Sequence, residues 1–134
     1  MNQKTLFESM QIGLDLGTWE ITLDKDRIKE RMRITQWQGA ELIDGSDFAP
    51  PGTTIEIHPR MKFAKFPGLK AAIWAKSEHE FFKPMMVGSK VFIHGKVAGK
   101  YIKREKVYLV TEFEAVDENG EVLMISRETA VCVD

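Results

Sequence analysis

Three histidines, one cysteine and a short acidic loop are the residues of this 134-residue chain whose side chains could do chemistry near neutral pH. His58 follows Asp44 by 14 positions and Asp47 by 11. An imidazole oriented by a carboxylate across a loop is the arrangement of a general base. His58, Asp44 and Asp47 are therefore the candidate catalytic residues. The alternative makes His58 a helix-entry residue before Pro59, and the two aspartates ordinary loop and turn residues. His79 lies in a run that alternates like a strand and reads as a core or interface histidine ahead of a base. His94 reads as an exposed strand residue. Cys132 has no neighbouring base in sequence, and a thiol without one is packing and not a nucleophile. Three scattered His and one Cys have no metal-ligand spacing, so neither a metal nor another cofactor is expected. Gly52-Thr53-Thr54 could present backbone N–H groups to a developing negative charge, or serve only packing.

These residues need elements to hold them. Residues 1–15 carry Leu6, Met10 and Leu14 at helical spacing, a short amphipathic lead-in. Trp19, Ile21 and Leu23 alternate with Glu20 and Thr22, as in a strand. Asp24 can cap a helix over about 25–36, with Ile28, Met32 and Trp37 on one face. Residues 39–54 form a loop, because Gly39, Gly45, Pro50, Pro51 and Gly52 break both periodicities. Helical spacing returns at 53–66 through Ile57, Met61 and Ala64 or Lys65. Pro59 there is tolerated only in a first turn, and Pro67-Gly68 ends the helix.

From residue 70 onward the pattern is all strand. Ile73, Ala75, Ser77, His79 and Phe81 share one face by strict alternation. Val91, Ile93, Gly95 and Val97 form the next set, then Val107, Leu109, Thr111, Phe113 and Ala115, then Val122 to Val133. Asp117-Glu118-Asn119-Gly120 is a hairpin turn, since Asn-Gly accepts the positive φ such turns need. The expected order is strand, helix, loop, helix and four long antiparallel strands.

Length and composition allow one domain over residues 1–134 with a substantial core. At 43% apolar and 29% charged, disorder, collagen and coiled coil are excluded. No run approaches the ~20 apolar residues of a membrane span, and residues 1–8 contain no apolar signal-peptide core. With one unpaired cysteine, a reducing, cytoplasmic setting is the expectation. The net charge of −1 hides a segregation: residues 1–57 carry −4, residues 58–106 carry +9 and residues 107–134 carry −6. A basic middle could meet phosphate, or could be solvated strand edges where Lys discourages edge pairing. Its cluster Lys96, Lys100, Lys103, Arg104 and Lys106 surrounds a strand turn.

Long antiparallel strands with one buried face need a cover, and the helical material before them is the only sizeable candidate. An α+β hotdog fold follows, a long antiparallel sheet wrapped around a central helix. Phe81-Phe82-Lys83-Pro84-Met85-Met86-Val87-Gly88-Ser89 resembles the Phe-x-Arg/Lys-Pro-Val-x-x-Gly-Asp signature of MaoC-like dehydratases, in particular the N-terminal, fatty-acid-synthase-type half of that family. Ala49-Pro50-Pro51-Gly52-Thr53 resembles the Ala-Pro-Pro-x-x element that opens the family's central helix. The resemblance implies (R)-3-hydroxyacyl and trans-2-enoyl thioesters of coenzyme A or a carrier protein as substrates. It also implies subunits paired around an acyl tunnel, as a homo-oligomer or a heterodimer with a catalytic MaoC-like subunit. Gly52 and Thr53 would then face the thioester, and Lys100, Lys103 and Arg104 the nucleotide phosphates of coenzyme A. Active members carry an Asp and, five positions later, a His. Here Thr53, Trp74 and Ser89 stand five positions before His58, His79 and His94, and Ser89 replaces the signature's final Asp. The chain is therefore expected to be either a hydratase–dehydratase with a rearranged site or the non-catalytic acyl-binding subunit of one. A hotdog acyl-CoA thioesterase is an alternative on the same scaffold.

An OB-like single-stranded nucleic-acid-binding domain competes from another class. Long strands, the basic middle, and Phe92, Tyr101 and Tyr108 are what a stacking platform needs. Against it, an OB barrel requires strands on both sides of its helix, and the acidic last strands would repel a polyanion. Nucleic acid is not expected as a partner, nor is a membrane.

Overall fold

The computed structural model describes residues 3–36, 47–50 and 52–133. Helix α1 spans Gln3–Ser9, strand β1 Asp15–Thr22, and helix α2 Lys25–Thr35. Helix α3 spans Ile57–Lys65, and β2 Ala71–Phe81, β3 Lys90–Lys103, β4 Lys106–Val116 and β5 Val122–Val133 complete the chain. The strands form one antiparallel sheet in the order β1-β3-β4-β5-β2. This open sheet holds α3 against its buried face, so the OB-like barrel is not formed.

Local chemistry explains most boundaries. Asp24 caps α2 by accepting from the N–H groups of Asp26 and Arg27 at 2.9 and 3.1 Å. Gln36, at φ +51°, ends it in the left-handed region. Leu6 and Met10 of the lead-in are fully buried, but α1 ends at Ser9 and Leu14 is only half-buried. Trp37 falls outside the described residues. Helix α3 is shorter than the spacing over 53–66 suggested: 53–56 form turns, and the helix begins at Ile57 so that Pro59 occupies its first turn. At the β4–β5 turn the Asp117 carboxylate accepts from the N–H groups of Asn119 and Glu121, with Gly120 at φ +79°.

Strand β4 matches its reading residue for residue, with Val107, Leu109, Thr111, Phe113 and Ala115 all buried. Strand β2 does not. A register shift between Trp74 and Lys76 places Ala72 and Trp74 opposite buried Cys132 and Ala130, then Ser77 and His79 opposite buried Glu128 and Ser126. Ile73 and His79 are therefore on opposite faces, because a bulge inserts one residue and reverses the alternation beyond it.

The core lies between α3 and the sheet. Ile57 and Met61 of α3 meet Ile93, Leu109, Phe113 and Met124 in one buried cluster. At Gly95 an added Cβ would overlap the Met61 thioether and lie 2.9 Å from Met61 Cε. Gly95→Ala should accordingly destabilise the protein by ~1–3 kcal/mol through overpacking. A chemical-denaturation midpoint checks this, and Met61→Ala in the same chain should recover part of the loss.

Candidate functional site

Helix α3 presents an unusual inner face. Its buried residues are Ile57, His58, Met61 and Lys62, so two apolar side chains alternate with an imidazole and an ammonium one turn apart. Each polar group meets a partner supplied by the sheet. The Lys62 ammonium forms an ion pair with the Glu128 carboxylate of β5, both side chains being almost fully enclosed. His58 Nδ1 lies 2.8 Å from Thr111 Oγ1 of β4, and His58 Nε2 lies 2.8 Å from Ser126 Oγ of β5. The ring also packs on Phe113 with centroids 4.6 Å apart. Burial, assisted by the nearby Lys62 charge and by His79, lowers the His58 pKa to about 3 and keeps the ring neutral.

Ser126 serves a second imidazole. His79 Nδ1 of β2 lies 2.8 Å from the same Oγ. A hydrogen-bonded chain thus runs Thr111–His58–Ser126–His79 from the core to the half-buried edge of the sheet.

The two segments that carry the family resemblance lie against one another. Phe48 and Met86 form an antiparallel bridge, the Ala49 N–H donates to the Met85 carbonyl at 2.8 Å, and the Val87 N–H donates to the Asp47 carbonyl at 2.7 Å. Beside this bridge Phe48, Phe81, Phe82, Lys83, Pro84 and Met85 line a mainly apolar pocket of about 430 Å³. Phe81 also touches the other feature, its ring centroid 6.2 Å from that of His79.

The sequence candidates separate. His58 is neither exposed nor a backbone cap; both ring nitrogens are taken by hydroxyls, and no carboxylate among the described residues orients it. Asp47 is exposed, and the residue five positions later is Gly52, which has no side chain to complete an Asp-x4-His pair. Asp44 lies outside the described residues. The Thr53 N–H and Oγ both donate to the Pro50 carbonyl, at 3.1 and 2.6 Å, so that amide faces its own loop and not a ligand. The Gly52 carbonyl accepts from Arg31 and from the Ile55 N–H. Lys100 donates to the Phe7 carbonyl at 2.7 Å and sits over the Phe7 ring, tying β3 to α1. Lys96 pairs with Glu112. Lys103 and Arg104 stand exposed at the β3–β4 turn, where Arg104 and Glu105 take φ of +51° and +64°.

His94 and Cys132 fall where they were expected. His94 is exposed, its Nε2 3.0 Å from an Asp15 carboxylate oxygen. The Cys132 thiol is buried and pushed up to about 11, which suits packing and not nucleophilic attack. Among the described residues no group of three His, Cys, Asp or Glu could hold a metal, and no helix is long and apolar enough to cross a membrane. The meeting of His79 with Ser126 is what the sequence reading missed. Their pairing depends on the β2 bulge and on strand register across 47 positions of chain.

No family model and no curated protein matches the chain. Solved structures do. The C-terminally truncated HadBC (3R-hydroxyacyl-ACP dehydratase) complex from Mycobacterium tuberculosis shares 15% identity at a TM-score of 0.70, covering 91% of this chain and 98% of that one. The (R)-hydratase from A. caviae involved in PHA biosynthesis shares 11% at 0.70, covering 92% and 97%. The MaoC-like dehydratase from Rhodospirillum rubrum shares 16% at 0.68, covering 93% and 94%. As the sequence resemblance implied, this chain has the hotdog fold of MaoC-like dehydratases and (R)-hydratases.

Proposed function

We propose that the protein binds acyl thioesters and serves as a hotdog subunit of an assembly that hydrates trans-2-enoyl thioesters or dehydrates (R)-3-hydroxyacyl thioesters. The observation that carries this reading is the apolar pocket beside the Phe48–Met86 bridge, where the two family-like segments meet. Its size and aromatic walls suit an acyl chain. Lys103 and Arg104, exposed at the β3–β4 turn, would take the phosphates of coenzyme A, or the acidic surface of a carrier protein.

An assembly is favoured by the free edge of the sheet. Among the described residues β2 pairs only with β5, and Ile73, Trp74 and Phe81 on it are about half exposed. A second subunit, identical or related, would cover these side chains. The non-catalytic form of this reading rests on Asp47 and Gly52, which leave the family's Asp-x4-His pattern without its imidazole.

Calorimetric titration with butyryl-CoA, with the oligomeric mass measured in the same buffer, tests the proposal. Binding by a dimer or larger species is expected. Phe81→Ala should weaken binding by about tenfold or more, the worth of one well-buried aromatic contact. A folded protein that takes up no butyryl-CoA would refute the reading.

A further inference from the structure

His79 has one ring nitrogen committed and one open. Nδ1 is held by Ser126 Oγ at 2.8 Å, and Nε2 has no hydrogen-bond partner among the described residues. Ser126 is fully buried and has a single hydroxyl hydrogen between two imidazoles. One ring N–H must therefore donate to its oxygen while its O–H donates to the other ring. Neutral His58 can accept that O–H at Nε2 and donate from Nδ1 to Thr111 Oγ1. In this setting His79 Nδ1–H donates to Ser126, and the lone pair on His79 Nε2 points away from the relay. An imidazole fixed by a second group, itself fixed by a third, is the form of a positioned base. The ring next to it, Phe81, is a wall of the apolar pocket.

We propose that His79 is an acid–base residue of this chain, with Ser126 and His58 as positioning residues behind it, acting on a thioester whose acyl chain lies against Phe81. The proposal rests on the acyl-thioester reading above. In hydration, Nε2 takes a proton from water as the water oxygen bonds to C3 of the enoyl group. The π electrons move onto the thioester oxygen as an enolate. Nε2–H then delivers its proton to C2 as the enolate collapses, which returns a neutral imidazole and adds one water overall. Dehydration is the reverse.

The test is crotonyl-CoA hydration by the full chain in its native oligomeric state, followed by loss of enoyl absorbance. Turnover is expected. His79→Ala should lower kcat by about 10²–10⁴, the range for a positioned base, with part of the rate restored by added imidazole. His79→Phe keeps a ring on this face and should lose activity equally while unfolding at nearly the wild-type temperature. Ser126→Ala should lower kcat less than either and displace the acidic limb of the pH–rate profile. A wild-type protein that binds butyryl-CoA but does not hydrate crotonyl-CoA would overturn the assignment and leave the acyl-thioester reading standing. A folded His79→Phe at full rate would do the same. Failure of the wild type to bind butyryl-CoA would remove both.

Discussion

Replacing Lys62 by methionine is expected to lower the stability of the protein by about 3–5 kcal/mol, the penalty of leaving a buried charge without its partner. The Glu128 carboxylate would then be enclosed by the sheet and α3 with no cation beside it. Glu128→Leu should be as damaging, for the converse reason. The double variant Lys62→Met/Glu128→Leu should recover most of the loss. Two apolar side chains of similar volume need no desolvation of charge, and such exchanges are often neutral or stabilising. Thermal unfolding gives the answer: single variants displaced downward by roughly 10–20 °C, the double variant close to wild type. Equal losses in all three would mean that the pair contributes shape and not charge.

The second large effect is a dependence of stability on acid. His58 titrates near 3 in the fold and near its ordinary 6.5 when unfolded, so the unfolded chain binds the extra proton first as pH falls. Stability is complete above about 6.5 and declines below it, levelling only near the folded value. Between pH 7 and 4.5 the loss from this group amounts to ~3 kcal/mol, at ~1.4 kcal/mol per unit. His58→Gln keeps a polar side chain facing Thr111 and Ser126 but cannot take up the proton. It should be less stable than wild type at pH 7 and should narrow that difference steadily toward pH 4.5, as read from urea midpoints across the range. Parallel curves for the two proteins would exclude His58 as the source.

The contrast between β4 and α3 shows what the sequence made legible. Every inward residue of β4 was readable because one face is apolar apart from Thr111, and the irregularities in its pairings skip residues of β3 and β5, leaving its own alternation unbroken. The Asp24 cap and the Asn119-Gly120 turn were readable because their chemistry is local. In α3, periodicity identifies Ile57 and Met61 but has no means of placing Lys62 inside. The reason is that its partner Glu128 stands 66 positions away. The β2 bulge left no mark either, since one extra residue in a strand has no composition of its own. His79 was therefore assigned to the same face as Ile73, and its meeting with Ser126 could not be foreseen. The family-like segments were recognised separately, but only the Phe48–Met86 bridge shows that they build one wall.

Strand β5 stands between β4 and β2 in the sheet yet follows every other strand in chain order. It alone brings Ser126 and Glu128. A chain emerging residue by residue from the ribosome can complete its β3–β4 hairpin early, but α3 must wait with Lys62 unmatched until β5 arrives. Closing contacts between residues 62 and 128 is a long-range event, and folds dominated by such contacts form slowly. The last strand should thus set the pace of folding, and nascent chains ending before residue 122 should remain open to proteases and chaperones along the whole inner face of the sheet.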